Sequence, residues 1–376
     1  MTLRITWRRA LLGLGGLALA GLLFAWSGVL YIGATGGHSA PVGWFLHWVM
    51  QNSIRTHALP HQAPDLSDPA LLPRGAGHYA TSCAPCHGAP GQPQSPVLAQ
   101  STPPPPALAQ GLADWSAEEL FVIIRHGVRY SGMPGWVAPA RQDEVWAMVA
   151  FLRQMPGLDA ARYLALAEAG LRRDPAAPPA TPPGLEGLAT RPGGGALAAS
   201  LRDCARCHGL DGLGAGTAFP ILAGQSAAYL EATLRDYAEA RRQSGIMQPA
   251  AARPEPGQLR ALAEHYAAQP HPGPPAPAAD PAMLEEGGRL AREGFALRGV
   301  PACLSCHGGA ALARNPALPR LHGQHAGYLE NQLALWREGA RGGGESPQVM
   351  AAIAGRLSPG QARAVAAWFA AAGAVD

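Results

Sequence analysis

The chain has 376 residues, a length suited to two or three folding units rather than one core. Its 47 glycines and 37 prolines stay below the share expected of a wholly disordered chain, and only 15% of residues are charged, which excludes a solvated, self-repelling tail protein. There is no lysine, and beyond Arg4, Arg8 and Arg9 the remaining arginines equal the 26 carboxylates in number, so the neutral body offers no electrostatic footprint for nucleic acid.

In chain order the first predicted element is an apolar helix over residues 10–32, with residues 1–33 as a membrane anchor. Those 23 residues carry no charge and span about 34 Å as a helix, enough for a bilayer core of ~30 Å. The run exceeds the apolar stretch of a cleavable leader and no A-x-A site closes it, so it reads as an uncleaved single-pass anchor; a removed signal peptide is the alternative. Arg4, Arg8 and Arg9 precede it and no Lys or Arg follows until Arg55. By the positive-inside rule the N-terminus is cytoplasmic and the rest lies outside, in the periplasm at the bacterial inner membrane. Residues 34–64 read as a juxtamembrane segment. Here Trp44, Phe45 and Trp48, with Trp26 and Tyr31 before them, suit the headgroup boundary. Packing in a first-domain core is the other reading of Trp44 and Trp48.

The six cysteines form one pattern used three times: Cys83-Ala84-Pro85-Cys86-His87, Cys204-Ala205-Arg206-Cys207-His208 and Cys303-Leu304-Ser305-Cys306-His307. With 13 histidines in the chain, three such successors arise by chance with a probability on the order of 10⁻⁵ to 10⁻⁴. C-x-x-C-H is the attachment signature of c-type haem. Two thiols on a tight helical turn add to the porphyrin vinyl groups, and the adjacent histidine is held beneath the iron as proximal ligand. Three covalently bound haems follow, on Cys83, Cys86 and His87, on Cys204, Cys207 and His208, and on Cys303, Cys306 and His307. A zinc ribbon would join two pairs and leave the third over. A thioredoxin-like dithiol belongs in a βαβ context absent here. Disulfides remain open before haem is attached, in an oxidising compartment.

A sixth ligand closes the iron and raises its potential for electron transfer. Met133 lies in the stretch Gly127-Val128-Arg129-Tyr130-Ser131-Gly132-Met133-Pro134, and Met247 and Met350 follow the other two motifs at similar distances. A single methionine is normally core filler, but repetition changes the reading. His208 to Pro220 and His307 to Pro319 have one spacing; Tyr229-Leu230-Glu231 matches Tyr328-Leu329-Glu330; Met247 precedes Arg253 and Pro256-Gly257-Gln258 at the offsets at which Met350 precedes Arg356 and Pro359-Gly360-Gln361. Two copies of one haem domain explain this. Met133, Met247 and Met350 are therefore the expected iron ligands, with Met155 the competitor in the first segment, read as packing, and His126 and His322 as substitutes.

The predicted helices agree. Residues 74–82, 196–203 and 281–297 precede the three motifs, and residues 142–154, 257–269 and 359–372 follow the methionines, with Trp146, Tyr266 and Phe369 in the helix-on-helix core. No alternating strand pattern is sustained. Domain boundaries follow: residues 65–173, 196–270 and 281–376, joined by Pro/Gly-rich linkers over 174–195 and 271–280, compositions that behave as semi-rigid spacers. The run Pro103 to Pro106 is a loop inside the first domain.

Attachment motif, Pro-Leu loop, Met loop and closing aromatic helix, three times over, resemble class I cytochrome c domains, which implies an all-α fold of three such domains behind one transmembrane helix. The second and third segments resemble the dihaem cytochrome c-four family, through Cys207-His208-Gly209-Leu210-Asp211-Gly212-Leu213-Gly214, Leu222-Ala223-Gly224-Gln225 and Tyr229-Leu230-Glu231. The resemblance implies that they pack as a pair with neighbouring haems. Gly308-Gly309-Ala310-Ala311 departs from the family's Asp-Gly loop. The first segment resembles single-haem domains attached to oxidases and dehydrogenases. Irons saturated by histidine and methionine move electrons and offer no site to a substrate. The expected role is a non-catalytic carrier between a quinol-oxidising complex or dehydrogenase and a terminal oxidase or soluble cytochrome. The alternatives are a bound cytochrome subunit of an alcohol or sugar dehydrogenase or of a haem-copper oxidase, and a haem peroxidase with one open iron. No G-x-S-x-G or H-E-x-x-H motif is present.

Overall fold

The computed structural model describes residues 6–29, 31–33, 36–110, 112, 114–172, 194–271 and 279–372. Every regular element among them is helical, and the only β pairings there are the isolated bridges Ala89 with Gln92 and Phe295 with Val300. The linker expected over 174–195 falls outside the described residues except Gly194 and Gly195, which already belong to a helix. That over 271–280 is described only at its ends.

One described helix, Trp7–Trp26, is long and apolar enough to cross a membrane: 20 residues, mean hydropathy 1.6, none buried. It begins and ends earlier than the expected 10–32. Arg8 and Arg9 are good helix formers and extend it backwards. At the far end Ser27 Oγ donates to the Phe24 carbonyl at 2.7 Å and the chain turns out at Gly28, leaving Val29, Tyr31 and Ile32 exposed beyond the helix.

The segment 34–64 contains a second helix, Ala40–Ala58, opened by Pro41 in its first turn. Its two ends differ. Ile54 and Ala58 are buried, and the helix packs on Ala117–His126. Trp44, Phe45 and Trp48 are 68%, 52% and 51% exposed, with the two indoles stacked at 6.2 Å. Packing of these aromatics in the first core is thereby excluded.

Beyond this lie three hydrophobic clusters. The first gathers Tyr79, Phe121, Val145, Val149, Phe151, Met155 and Tyr163; the second Leu201, Leu230, Leu262 and Tyr266; the third Ala291, Leu329, Val365 and Phe369. Each is made where the helix before a Cys-x-x-Cys-His motif crosses the closing helix of its segment: Leu71–His78 on Gln142–Gln154, Gly194–His208 on Pro256–Ala267, and Pro281–Glu293 on Pro359–Ala371. The first motif helix starts three residues before the expected Arg74, since Pro73 is tolerated within a first turn, and passes into a wide π turn, Tyr79–Cys83. The third ends at Glu293 rather than running to residue 297, because the chain reverses at Gly294.

The segments also pack on one another. A small cluster joins Ala70 to Ala218 and Phe219, with Cys207 against it. Arg74 donates to the carbonyls of Ala218 at 2.5 Å and Thr217 at 3.3 Å, and Gly170 N–H donates to the Arg206 carbonyl at 2.8 Å. The second and third segments meet reciprocally. Gln225 exchanges two hydrogen bonds with the Arg320 backbone at 2.7 and 3.0 Å, and Gln324 exchanges two with the Ile221 backbone at 2.9 and 3.0 Å. The register that aligns Pro220 with Pro319 also aligns Ile221 with Arg320 and Gln225 with Gln324. The interface is therefore self-complementary, the signature of a pseudo-twofold.

Helix crossing in the third segment depends on a missing side chain. A Cβ at Gly287 would overlap the carbonyl of Ala364 and the Cβ of Trp368. Gly287→Val is expected to lower stability by ~1–3 kcal/mol through overpacking, read as a shift of the urea midpoint with unchanged slope.

Candidate haem sites

Each motif occupies one helical turn. Cys83 ends the π turn and Cys86 and His87 lie on Ala84–His87; Cys204 to His208 close the Gly194–His208 helix; Cys306 and His307 lie on Leu304–His307, where His307 N–H donates to the Cys303 carbonyl at 2.9 Å. Residues three apart share a helix face, so each pair of thiols is presented on one side. No disulfide joins any two of the six. Burial pushes Cys83 and Cys204 up to about 12, and Cys207 and Cys303 to about 11, opposite to the lowered values of redox-active dithiols. Among the described residues no three His, Cys, Asp or Glu side chains converge to hold a metal by themselves, so the pairs do not assemble a zinc ribbon.

The histidines are oriented by one device. Nδ1 of His87 lies 2.8 Å from the Pro106 carbonyl, Nδ1 of His307 lies 3.0 Å from that of Pro319, and Nδ1 of His208 lies 3.4 Å from that of Pro220. A carbonyl only accepts, so each ring carries its proton on Nδ1 and presents the Nε2 lone pair, the tautomer a metal requires. His208 and His307 are buried, and burial lowers both below the ordinary imidazole value, His208 to about 4, favouring the neutral ring. In the first segment Gln94 Nε2 ties the proline run to the motif, donating to the carbonyls of Pro105 at 2.7 Å and Cys86 at 3.1 Å. The sequence marks these prolines only as a loop and a repeat offset; their role is in the backbone oxygen.

The methionines sit on other elements. Met133 is in the loop after Ala117–His126, fixed by Val128 N–H to its carbonyl at 3.2 Å and by its own N–H to Ser131 Oγ at 3.2 Å. Met247 opens the short helix Met247–Ala251, and Met350 lies on Pro347–Arg356. All three are half-buried. Met155 is fully buried in the first core. His126 is exposed at a helix end. His322 is buried three residues after Pro319, against Trp368 and Phe369 at 5.9 and 5.0 Å.

Two guanidinium groups lie between the second and third segments, that of Arg242 buried and that of Arg341 half-buried. Arg242 donates to the Tyr229 hydroxyl at 3.5 Å, the Tyr328 hydroxyl at 3.3 Å and Gln332 Oε1 at 3.2 Å, and lies over the Tyr237 ring at 4.8 Å. Arg341 also bonds Gln332 and lies over Trp336 at 4.8 Å, with its Nε buried and unpartnered. Among the described residues neither cation pairs with a carboxylate. Buried charge needs a counter-charge, and a haem propionate is an anion of the right class. Paired thiols, Nδ1-anchored histidines and unbalanced cations all fit haem c.

Comparison with known proteins agrees. Residues 70–152 match the family model described as cytochrome C oxidase, cbb3-type, subunit III, and residues 194–265 match that of cytochrome c. A thiosulfate dehydrogenase electron acceptor from Thiomonas intermedia is 38% identical over 169 residues, covering 45% of this chain and 77% of that protein. Cytochrome c4 of Azotobacter vinelandii is 34% identical, covering 50% and 92%. The solved structure of Acidithiobacillus ferrooxidans cytochrome c4 is 32% identical with a TM-score of 0.39, covering 44% of this chain and 96% of that one.

Proposed function

Because the chain belongs to the cytochrome c family, with a C-terminal part related to dihaem cytochrome c4 and a first segment matching the cbb3-type oxidase cytochrome, we propose that it is a membrane-anchored, periplasmic trihaem electron carrier. Cytochrome c domains bind haem c covalently, and haem supplies a one-electron iron couple. The observation that carries the count of three is that every Cys-x-x-Cys-His motif ends in a histidine whose Nδ1 faces a proline carbonyl. In this reading His87, His208 and His307, with Met133, Met247 and Met350, would hold the three irons, and the group would supply one-electron transfer with no position left for a substrate. The domains of this reading span residues 65–173, 196–270 and 281–376.

A dehydrogenase or quinol-oxidising complex is the donor in this reading, supported by the relative named as an electron acceptor of thiosulfate dehydrogenase. A terminal oxidase or soluble cytochrome is the acceptor. The match of residues 70–152 to an oxidase subunit favours one second reading, a cytochrome subunit built into a haem-copper oxidase. Gentle solubilisation separates the two: a chain that leaves the membrane alone and is reduced by added dehydrogenase is a carrier, and one that travels with oxidase activity is a subunit.

Mass measurement of the holoprotein is expected to show three haems, and Cys204→Ala with Cys207→Ala to remove one. Substituting Met133, Met247 or Met350 by Ala should each remove about one third of the sulfur-to-iron near-infrared band. An unchanged band rejects that ligand.

Trp7–Trp26 is the anchor in this reading, and the exposed aromatics of Ala40–Ala58 lie at the headgroup boundary. In vesicles of brominated lipid, Trp44→Ser with Trp48→Ser is expected to reduce tryptophan quenching; equal quenching would place that helix away from the bilayer.

A further inference from the structure

The short helix that begins at Met247 is only five residues long, too short to hold itself in place. Its first turn is fastened by Ser244. The Ser244 hydroxyl accepts from the N–H of Met247 at 2.9 Å and of Ile246 at 3.3 Å, while the Ser244 carbonyl accepts from Gln248 N–H at 3.1 Å and its N–H donates to Gln248 Oε1 at 2.9 Å. A serine hydroxyl with both acceptor positions engaged has one proton left to place. That proton goes to Glu144 Oε1, 2.5 Å away, one hundred residues earlier in the chain and in the first segment.

Glu144 stands in the first turn of Gln142–Gln154 and is 6% exposed. Four donors reach it, Ser244 Oγ, Gly245 N–H at 2.6 Å, Trp136 Nε1 at 3.2 Å and Arg141 Nη2 at 2.9 Å, while Asp143, which also binds Arg141 at 2.8 and 2.9 Å, is a like charge beside it. Arg141 adds a second grip on the same strip of chain, its Nη1 donating to the Gln243 carbonyl at 2.8 Å. Residues 243, 244 and 245 are thus held at consecutive positions by Arg141 and Glu144. Above them lies Trp136, whose indole a Cβ at position 245 would overlap, so only glycine fits beneath it. Trp136 is three residues beyond Met133, the expected ligand of the first haem, and its backbone N–H is pinned to the Arg125 carbonyl at 3.0 Å. The two methionine loops therefore meet on one carboxylate.

We propose that Glu144 is a positioning residue for Met247, acting through Ser244, so that the distal ligand of the second haem is set by the first segment. This rests on Met247 being the sixth ligand, as proposed above. The arrangement belongs to a chain with a segment ahead of the dihaem pair, because the carboxylate comes from outside that pair.

The test uses full-length holoprotein with three haems per chain confirmed by mass. Glu144→Gln keeps the size of the side chain and removes its charge; Ser244→Ala removes the hydroxyl, and Ser244→Thr keeps it. Glu144→Gln and Ser244→Ala are expected to weaken the sulfur-to-iron band by up to one haem's share, about a third, and to let carbon monoxide bind one iron, while Ser244→Thr behaves as the parent. Combined with Met247→Ala, Glu144→Gln is expected to cause no further loss, since two changes acting on one ligand are not additive. A full band in Glu144→Gln and Ser244→Ala alongside a one-third loss in Met247→Ala overturns the positioning role and leaves the ligand assignment standing; so does an additive loss in the double variant. A full band in Met247→Ala overturns both. If Glu144→Gln fails to assemble, the Ser244→Ala and Ser244→Thr pair decides alone.

Discussion

A ring nitrogen tied to a backbone carbonyl is the constraint on which the haem sites depend. Imidazole can rotate and change tautomer, and either freedom would point the wrong nitrogen at a metal. The carbonyls of Pro106, Pro220 and Pro319 remove both freedoms at His87, His208 and His307. Proline suits the task because it has no N–H to draw the loop into a helix or sheet and fixes one backbone dihedral. The rest of each segment, a motif helix crossed by a closing helix, keeps loop and motif within reach of each other.

The same physics explains why a carboxylate is found where apolar residues would pack more cheaply. Burial pushes the Glu144 carboxyl up, while Arg141, Ser244 and Gly245 pull it down and the carboxylate holds Arg141 strongly protonated. Burial is the largest of these effects and the neighbouring Asp143 adds to it, so the carboxyl stands above the ordinary range. Such a pair is weak support for stability, since taking two ions out of water costs several kcal/mol each. Its use is in specifying one register between surfaces that apolar contact would leave free to slide. Asp143, in the same turn, extends that register to the third segment by accepting from Asn331 Nδ2 at 3.0 Å.

The class of fold was legible because its helices and its three contiguous Cys-x-x-Cys-His motifs are encoded locally. The motif is contiguous, and the closing helix Gln142–Gln154 has the bounds its periodicity predicts. The repeat offsets of Met247 and Met350 were equally open to inspection. What the sequence hid is what two distant stretches do together. Glu144 reads in isolation as an ordinary acid in a first helical turn, where the helix dipole favours it, and Ser244 as a loop serine. Gln225 and Gln324 share a register, but nothing local says that each clasps the other's backbone. The helix Ala40–Ala58 was missed because its aromatics suit a membrane boundary whether or not the backbone is helical.

These interfaces also decide what kind of object the chain is. Composition alone suggests beads on semi-rigid proline spacers, whose centres would move relative to one another. Instead, the second segment is gripped on two flanks by different devices. Toward the third it presents the reciprocal glutamines and the tyrosine-flanked Arg242. Toward the first it presents its Cys-x-x-Cys-His turn, which accepts from Gly170, the loop at Thr217 and Ala218, which accepts from Arg74, and the stretch before Met247, held by Arg141 and Glu144. A reciprocal contact repeats the same bonds on both partners, whereas the junction with the first segment gives the Cys-x-x-Cys-His turn and the Met247 stretch bonds that, among the described residues, are not repeated at the third segment's copies. Two domains of one repeat therefore sit in unlike surroundings. Reduction potential follows burial, hydrogen bonding and nearby charge around an iron, so in the proposed reading the asymmetric docking of the first segment would give two otherwise similar centres different surroundings.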